Sequence, residues 1–143
     1  MKKLIIAIII VCTLTLSGCS IFNQMKEEMA LAYELAENFC NKLTEEDIDQ
    51  AKEMLHPQSK PSADQLEQYV SYFEGQHSID FSAGVSFNRH TRFSASYYNS
   101  NYGGSVYEFN CIATIGSQVI ELYFLVVKND KGYGIYNFGV PTE

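Results

Sequence analysis

In the first half of the chain, apolar residues recur with a helical period. Between residues 25 and 43 they recur at steps of three and four, which predicts one helix with a single buried stripe. The stripe consists of Met25, Met29, Ala32, Ala36, Phe39, Cys40 and Leu43. Thr44 is the predicted N-cap of a second helix, which runs to about Leu55 and ends at His56-Pro57 because proline disfavours helical geometry in the residue before it.

A third helix is predicted after a loop at residues 58–61. Ser62 is the predicted cap of this helix, and Gln65 occupies the capping-box position. The predicted buried face comprises Leu66, Tyr69, Val70 and Phe73. Gly75 is the predicted left-handed residue that ends the helix.

Beyond Gly75 the pattern changes to a period of two, which is typical of strands with one buried face. Residues 79–87 are predicted as a strand, and residues 91–98 either continue it or form another. Residues 99–105 are predicted as a loop, and a last strand is predicted from Tyr133 to Val140.

A hairpin about Gly116-Ser117 can be assigned a register from the sequence. A two-residue turn places Ile115 opposite Gln118, and counting outward gives four apolar pairs on one face of the sheet. These pairs are Ala113 with Ile120, Cys111 with Leu122, Phe109 with Phe124, and Tyr107 with Val126.

The N-terminus has the three zones of a secretory signal peptide. Lys2 and Lys3 precede an uncharged stretch of 13 residues, Leu4 to Leu16, which is shorter than the roughly 20 residues of a spanning helix. The segment Leu16-Ser17-Gly18-Cys19 resembles the lipobox of bacterial lipoproteins. We therefore expect residues 1–18 to be removed, Cys19 to be lipidated, residues 19–24 to form a short tether, and residues 25–143 to form one domain.

The charge of the expected mature chain argues against polyanionic partners. Removal of Lys2 and Lys3 leaves 8 basic and 17 acidic side chains, a formal charge of −9. Such a domain repels nucleic acid and anionic lipid head groups, so the lipid anchor is the expected membrane contact. The two remaining cysteines, Cys40 and Cys111, are predicted in the core, either as a disulfide or as two buried thiols.

The order of the predicted elements resembles the nuclear-transport-factor-like fold, the cone-shaped domain of ketosteroid isomerase and polyketide cyclases. The resemblance spans about Met25 to Val140 and includes the segments T-E-E-D-I-D-Q-A-K-E-M-L-H-P and K-N-D-K-G-Y-G-I-Y. It implies an α+β fold, with two to three N-terminal helices packed on a curved, cone-like antiparallel sheet of about four strands. This fold serves enzymes and non-enzymes alike, so it does not define an activity.

No group of residues forms a recognisable catalytic, metal or cofactor motif, so no catalytic residue, metal ligand or cofactor is predicted. His56, His77 and His90 lack metal-ligand spacing. If they have no functional role, His77 is expected in a solvated turn and His90 on a solvated face of the sheet. His77, with Asp80 three residues on, could also line a pocket, and Glu108 and Glu121 lie on the mixed face of the hairpin.

Four tyrosines near one predicted loop are the candidate binding residues: Tyr97, Tyr98, Tyr102 and Tyr107. Tyrosine is common at binding surfaces, but it is also a favourable strand residue that packs in sheets. The expected function is a non-catalytic module on the extracytoplasmic face of the cell membrane that binds a protein or small-molecule partner. The alternatives are a small cone-fold enzyme acting on an apolar molecule and a structural accessory of an envelope complex.

Overall fold

The computed structural model describes the backbone of residues 2–141 and the side chains of residues 23–141. Three helices and five strands follow one another, which confirms the α+β class. The elements are α1 (Lys2–Thr44), α2 (Ile48–Glu53), β1 (Leu55–Lys60), α3 (Leu66–His77), β2 (Val85–Asn99), β3 (Gly104–Ile115), β4 (Gln118–Asn129) and β5 (Gly132–Gly139). Short 3-10 turns precede α3 at Ala63–Gln65 and β2 at Phe81–Ala83.

The strands form one sheet in the order β1-β5-β4-β3-β2. The predicted hairpin register is confirmed at every position, from Ile115 opposite Gln118 to Tyr107 opposite Val126. Gly116 has a φ of +59°, the conformation that favours glycine in this turn. The alternation of side chains therefore gives the sheet a helix face, which carries Phe109 and Phe124, and an outer face, which carries Glu108 and Tyr123.

The sheet differs from the prediction because it has five strands rather than about four, is mixed rather than antiparallel, and is not closed. The predicted loop at residues 58–61 belongs mostly to β1, which pairs in parallel with β5 at Leu55–Ile135 and Lys60–Asn137. Pro57 is tolerated there because β1 is an edge strand, where one side of the backbone makes no ladder hydrogen bonds.

The structure corrects two predicted helix ends. Thr44 ends α1, with its hydroxyl bonded to the Cys40 carbonyl at 3.1 Å, whereas Asp47 caps α2 by accepting from the Gln50 N–H at 3.2 Å. Gly75 lies inside α3, and Ser78 takes the left-handed conformation at the end of the helix, with a φ of +54°.

The predicted strand at residues 79–87 begins only at Val85. Ile79 and Phe81 are both buried, as the alternation indicated, but residues 81–83 form a 3-10 turn. Asp80 caps this turn, accepting from the Ser82 N–H at 2.9 Å and from the Ser82 hydroxyl at 2.6 Å. The hydrogen bonds to the Asp80 carboxylate thus take the place of the backbone hydrogen bonds that a strand would make with its neighbour. The alternative that residues 91–98 continue the strand is confirmed, since β2 runs to Asn99.

The core lies between the helix face of the sheet and the helices, and α3 contributes Leu66, Val70 and Phe73 to it, as predicted. All residues of the predicted α1 stripe are buried except Met25, which is half-buried. Tyr33 meets Phe109 edge to face at 4.6 Å, and Phe39 meets Phe138 at 4.9 Å between ring centroids. Residues 19–24, the predicted tether, continue the backbone of α1.

Cys40 and Cys111 are both buried, as predicted, and both are free thiols rather than a disulfide. Burial raises the pKa of the Cys40 thiol well above its ordinary value and that of Cys111 to about 12. At neutral pH both cysteines are therefore protonated core residues.

Candidate functional site

A cleft of about 790 Å³ is lined by α3 and by side chains from both faces of the sheet. One stripe of α3 supplies aromatic and polar side chains, because positions 69, 72 and 76 follow the helical repeat. The strands supply polar residues of the outer face and, in Phe109 and Phe138, aromatic residues of the helix face. The principal lining residues are Tyr69, Tyr72, Phe73, Gln76 and His77 from α3, and Arg92, Ser94, Glu108, Asn110, Tyr123 and Asn137 from the sheet.

Tyr69 fixes α3 against the end of β5. Its hydroxyl donates to the Phe138 carbonyl at 2.8 Å, and its ring meets the Phe138 ring edge to face at 5.1 Å. Burial raises the pKa of Tyr69, so the phenol stays a hydrogen-bond donor at neutral pH. The aromatic wall of the cleft is therefore held by contacts that do not depend on a ligand.

Tyr123 and Glu108 form the polar centre of the cleft. Burial and the neighbouring Glu108 carboxylate raise the pKa of Tyr123 well above its ordinary value. Protonated Tyr123 thus presents a donor beside the acceptor oxygens of Glu108, and Arg92 adds a cation at the same cleft. These groups suit a polar ligand with complementary donors and acceptors.

Glu121, which sequence analysis singled out, is engaged at the neighbouring part of the outer face. Its carboxylate accepts from Thr91 at 2.6 Å and from Asn110 at 3.2 Å. These two hydrogen bonds lower the pKa of Glu121, so the group is an ionised structural acceptor rather than an acid or base at neutral pH. It orients Asn110 toward its place in the cleft wall.

The three histidines have separate surroundings. His56 is buried in β1, where Nδ1 accepts from the Gln58 N–H at 3.1 Å and Nε2 lies 3.0 Å from the Asn129 amide oxygen. His77 lines the cleft and packs on Phe73 at 4.6 Å between ring centroids. His90 stacks on Tyr33 of α1 at 3.7 Å, and burial lowers its pKa.

The four candidate tyrosines occupy different environments. Tyr97 and Tyr98 near the end of β2 are each 67% exposed. Tyr102 packs edge to face on Tyr136 at 5.0 Å and helps to cover a small apolar cluster on the outer face. Tyr107 is buried on the helix face and donates a hydrogen bond to Glu28. The structure therefore does not bring all four together on one surface.

Sequence reasoning missed Tyr72 and Arg92 as parts of a site. Tyr72 is 65% exposed and lies three residues from Tyr69 and four from Gln76, a second stripe beside the buried one. This helical spacing is the sequence signal that could have identified Tyr72 as a residue of the site. The proximity of Arg92 to α3 could not be inferred, because it depends on the packing of distant elements.

The predicted lipidation site, Cys19, lies outside the residues whose side chains the structure describes. Within the described part of the chain, none of the helices has the length and apolar character needed to cross a membrane. No cluster of His, Cys, Asp and Glu suited to a metal ion occurs among those same residues.

Comparison with known proteins identifies no relative of this chain. No family model, no curated protein and no solved structure matches it. Function is therefore inferred from the N-terminal sequence and from the residues of the cleft.

Proposed function

We propose that this chain is a lipoprotein, anchored through Cys19 on the extracytoplasmic face of the cell membrane, whose domain binds a ligand without transforming it. The N-terminal charge, the apolar segment and Leu16-Ser17-Gly18-Cys19 support the anchor. A nuclear-transport-factor-like fold belongs to the same proposal, and the helices followed by the β2–β5 meander support it. Cys19→Ser should abolish palmitate labelling, and continued labelling would contradict the anchor.

The cleft lined by α3 and the sheet carries the binding proposal. Its volume of about 790 Å³ falls within the usual range of small-molecule sites, roughly 300–1,000 Å³. Aromatic rings on α3 can stack on a flat apolar surface, and Tyr123 and Glu108 can pair with polar groups of the same molecule. The ligand class is thus a small polar molecule that has one flat apolar face.

The assignment as a non-enzyme rests on how the ionisable groups are distributed. General acid–base catalysis needs two groups that act on one reacting centre. His77 packs on Phe73, whereas Glu108 lies beside Tyr123, so each of the two has its own partner. The Tyr123–Glu108 pair is the feature that favours the alternative of a small cone-fold enzyme, because a protonated phenol can stabilise developing negative charge.

Binding can be tested by screening small polar molecules against the purified full chain with ligand-observed NMR. Tyr72→Ala should weaken any ligand of the cleft roughly 2- to 10-fold, as expected for loss of one aromatic stacking contact. Leu31→Ala is the matched control, since Leu31 is 56% exposed and does not line the cleft. Equal affinities of the two variants would refute the cleft as the site, and turnover of a bound ligand would favour the enzyme.

A further inference from the structure

Three chain segments meet at one end of the domain, which we call the anchor end: residues 25–28 of α1, the β2–β3 turn (100–103) and the β4–β5 turn (130–131). Glu28 accepts a hydrogen bond from Tyr107 near the start of β3 and pairs with Lys128 near the end of β4 at 3.0 Å. The two turns are joined by Asn129, whose amide donates to the Tyr102 carbonyl at 2.8 Å. The β3–β4 turn lies at the opposite end of the sheet.

The proposed lipid would lie close to the anchor end. Cys19 precedes Met25 by six residues, a separation of roughly 9 Å as helix and at most roughly 20 Å as extended chain. The bilayer surface must therefore lie within that distance of Met25. The side chains that the anchor end exposes are consequently the ones that meet the membrane.

Apolar and aromatic side chains are exposed along this side of the domain. A groove of about 380 Å³ between α1 and β2 has a lining that is almost entirely apolar: Met25, Lys26, Met29, Ala30, Tyr33 and Phe93. Phe93 is 62% exposed, and Tyr97, four residues along β2 toward the anchor end, is 67% exposed. Exposed aromatic rings at one edge of a domain are typical of a surface that contacts another phase or partner.

The anchor end lacks the negative charge that characterises the rest of the mature chain. The anchor end itself holds two basic and three acidic side chains, and the adjacent Lys128, which pairs with Glu28, brings the charge to zero: Lys26, Lys128 and Lys131 against Glu27, Glu28 and Asp130. The formal charge of −9 therefore resides on the remainder of the domain, for example on Glu45, Glu46 and Asp47 at the other end of α1. The repulsion by anionic head groups that the net charge predicts thus acts mainly on surfaces that point away from the bilayer.

We propose that the anchor end docks on the lipid bilayer itself, with Tyr97, Phe93 and the α1–β2 groove entering the head-group region. The proposal rests on the lipid anchor at Cys19 and adds a second, reversible contact to it. Tyrosine suits this position because its ring is apolar and its hydroxyl stays hydrated, as at membrane interfaces generally. The domain would then be held in one orientation rather than swinging freely about its lipid.

The chain contains no tryptophan, so a single introduced indole reports on one place. Tyr97→Trp places the reporter at the anchor end, and Val119→Trp places it near the opposite end at a matched exposure of 69%. Val119 is nine residues along β4 from Lys128, roughly 30 Å away from the anchor end. Both full-length variants would be produced in bacteria and reconstituted into vesicles of phosphatidylethanolamine and phosphatidylglycerol with brominated acyl chains.

The expected result is several-fold stronger bromine quenching of Tyr97→Trp than of Val119→Trp, because an interfacial side chain lies roughly 5–10 Å deep. Adding Phe93→Glu to Tyr97→Trp should reduce that quenching. Palmitate labelling and flotation with the vesicles report separately on the anchor. Labelled, floating protein with equal quenching of the two indoles would overturn the docking surface and leave the anchor intact, whereas unlabelled protein would overturn both. A third outcome is an indole at position 97 that becomes buried as the protein concentration rises but is not quenched by bromine. This outcome would assign the surface to a second copy of the chain and overturn docking on lipid.

Discussion

Phe124→Ala tests whether the helix face of the sheet is the core of the domain. Phe124 is fully buried in the middle of β4 and lies opposite Phe109, with ring centroids 5.6 Å apart. Phe87 and Phe138 each approach its ring at 6.4 Å. Truncating a fully buried phenylalanine costs about 3–5 kcal/mol. We expect about 4–5 kcal/mol here, because three aromatic contacts are lost together with the buried area.

The free energy of unfolding would be measured by urea denaturation of the full chain in detergent, followed by near-ultraviolet circular dichroism of its 10 tyrosines. Val119→Ala is the control on the same strand, since Val119 is 69% exposed and should change stability by no more than about 0.5 kcal/mol. A loss below about 1 kcal/mol for Phe124→Ala would show that this face is not the core.

Three other predictions concern single contacts. Burial raises the pKa of Glu28, but the hydrogen bonds from Tyr107 and Lys128 outweigh this effect and lower it below its ordinary value. The contribution of Glu28 to stability is therefore present at neutral pH and is lost as acid protonates the carboxylate, so Glu28→Gln should flatten the acid limb of a pH–stability curve. Cys40 and Cys111 should resist iodoacetamide until the chain unfolds, and rapid labelling of either thiol in the native state would contradict their burial. Gly134→Ala should lower the melting temperature, because its Cβ would lie 2.5 Å from a backbone nitrogen of β1; an unchanged melting temperature would contradict the β1–β5 pairing.

The β3–β4 hairpin could be predicted in full because its information is local. A glycine turn and strict alternation on both strands allow one register that keeps Phe109 and Phe124 on the same face, and a slip by one residue would expose both. The α1 stripe was predicted for the same reason, since a helical period can be recognised without knowledge of the partner. Both elements specify their buried faces through residues that are close in sequence.

Strand β1 could not be predicted because its partner is distant. The segment Leu55–Lys60 contains Pro57 and has no alternating apolar pattern, and its strand geometry depends on β5, which lies more than seventy residues further along the chain. His56 shows the same dependence, since its ring is held by Asn129 at the end of β4. Edge pairing of this kind is decided by tertiary contacts rather than by local propensity.

The sequence predicted only some of the residues that line the cleft. The mixed face of the hairpin indicated Glu108 as a residue that could line a site. The other wall of the cleft is α3, and the sequence does not show where α3 packs. The candidate tyrosines were chosen for their proximity in sequence, whereas strand alternation separates exposed Tyr97 from buried Tyr107. Residues that are close in sequence need not share a surface when they lie on strands, because successive side chains of a strand point to opposite faces of the sheet.

The cleft and the proposed docking surface have no lining residue in common, which leads to a last prediction. Tyr72 and Tyr123 line the cleft, whereas the docking surface consists of the α1–β2 groove, which includes Phe93, and of Tyr97. Docking of the anchor end should therefore leave the cleft open to water.

A single indole introduced by Tyr72→Trp, at a position 65% exposed in the cleft wall, can test this with the aqueous quencher acrylamide. Acrylamide should quench this indole equally in detergent and on vesicles, while it quenches Tyr97→Trp less on vesicles than in detergent. Protection of position 72 on vesicles would mean that the cleft faces the bilayer, and it would then favour a lipid as the ligand over a small polar molecule from the aqueous phase. Equal quenching at position 72 combined with protection at position 97 is the pattern that requires one fixed orientation, because a domain turning freely on its lipid would expose both positions alike.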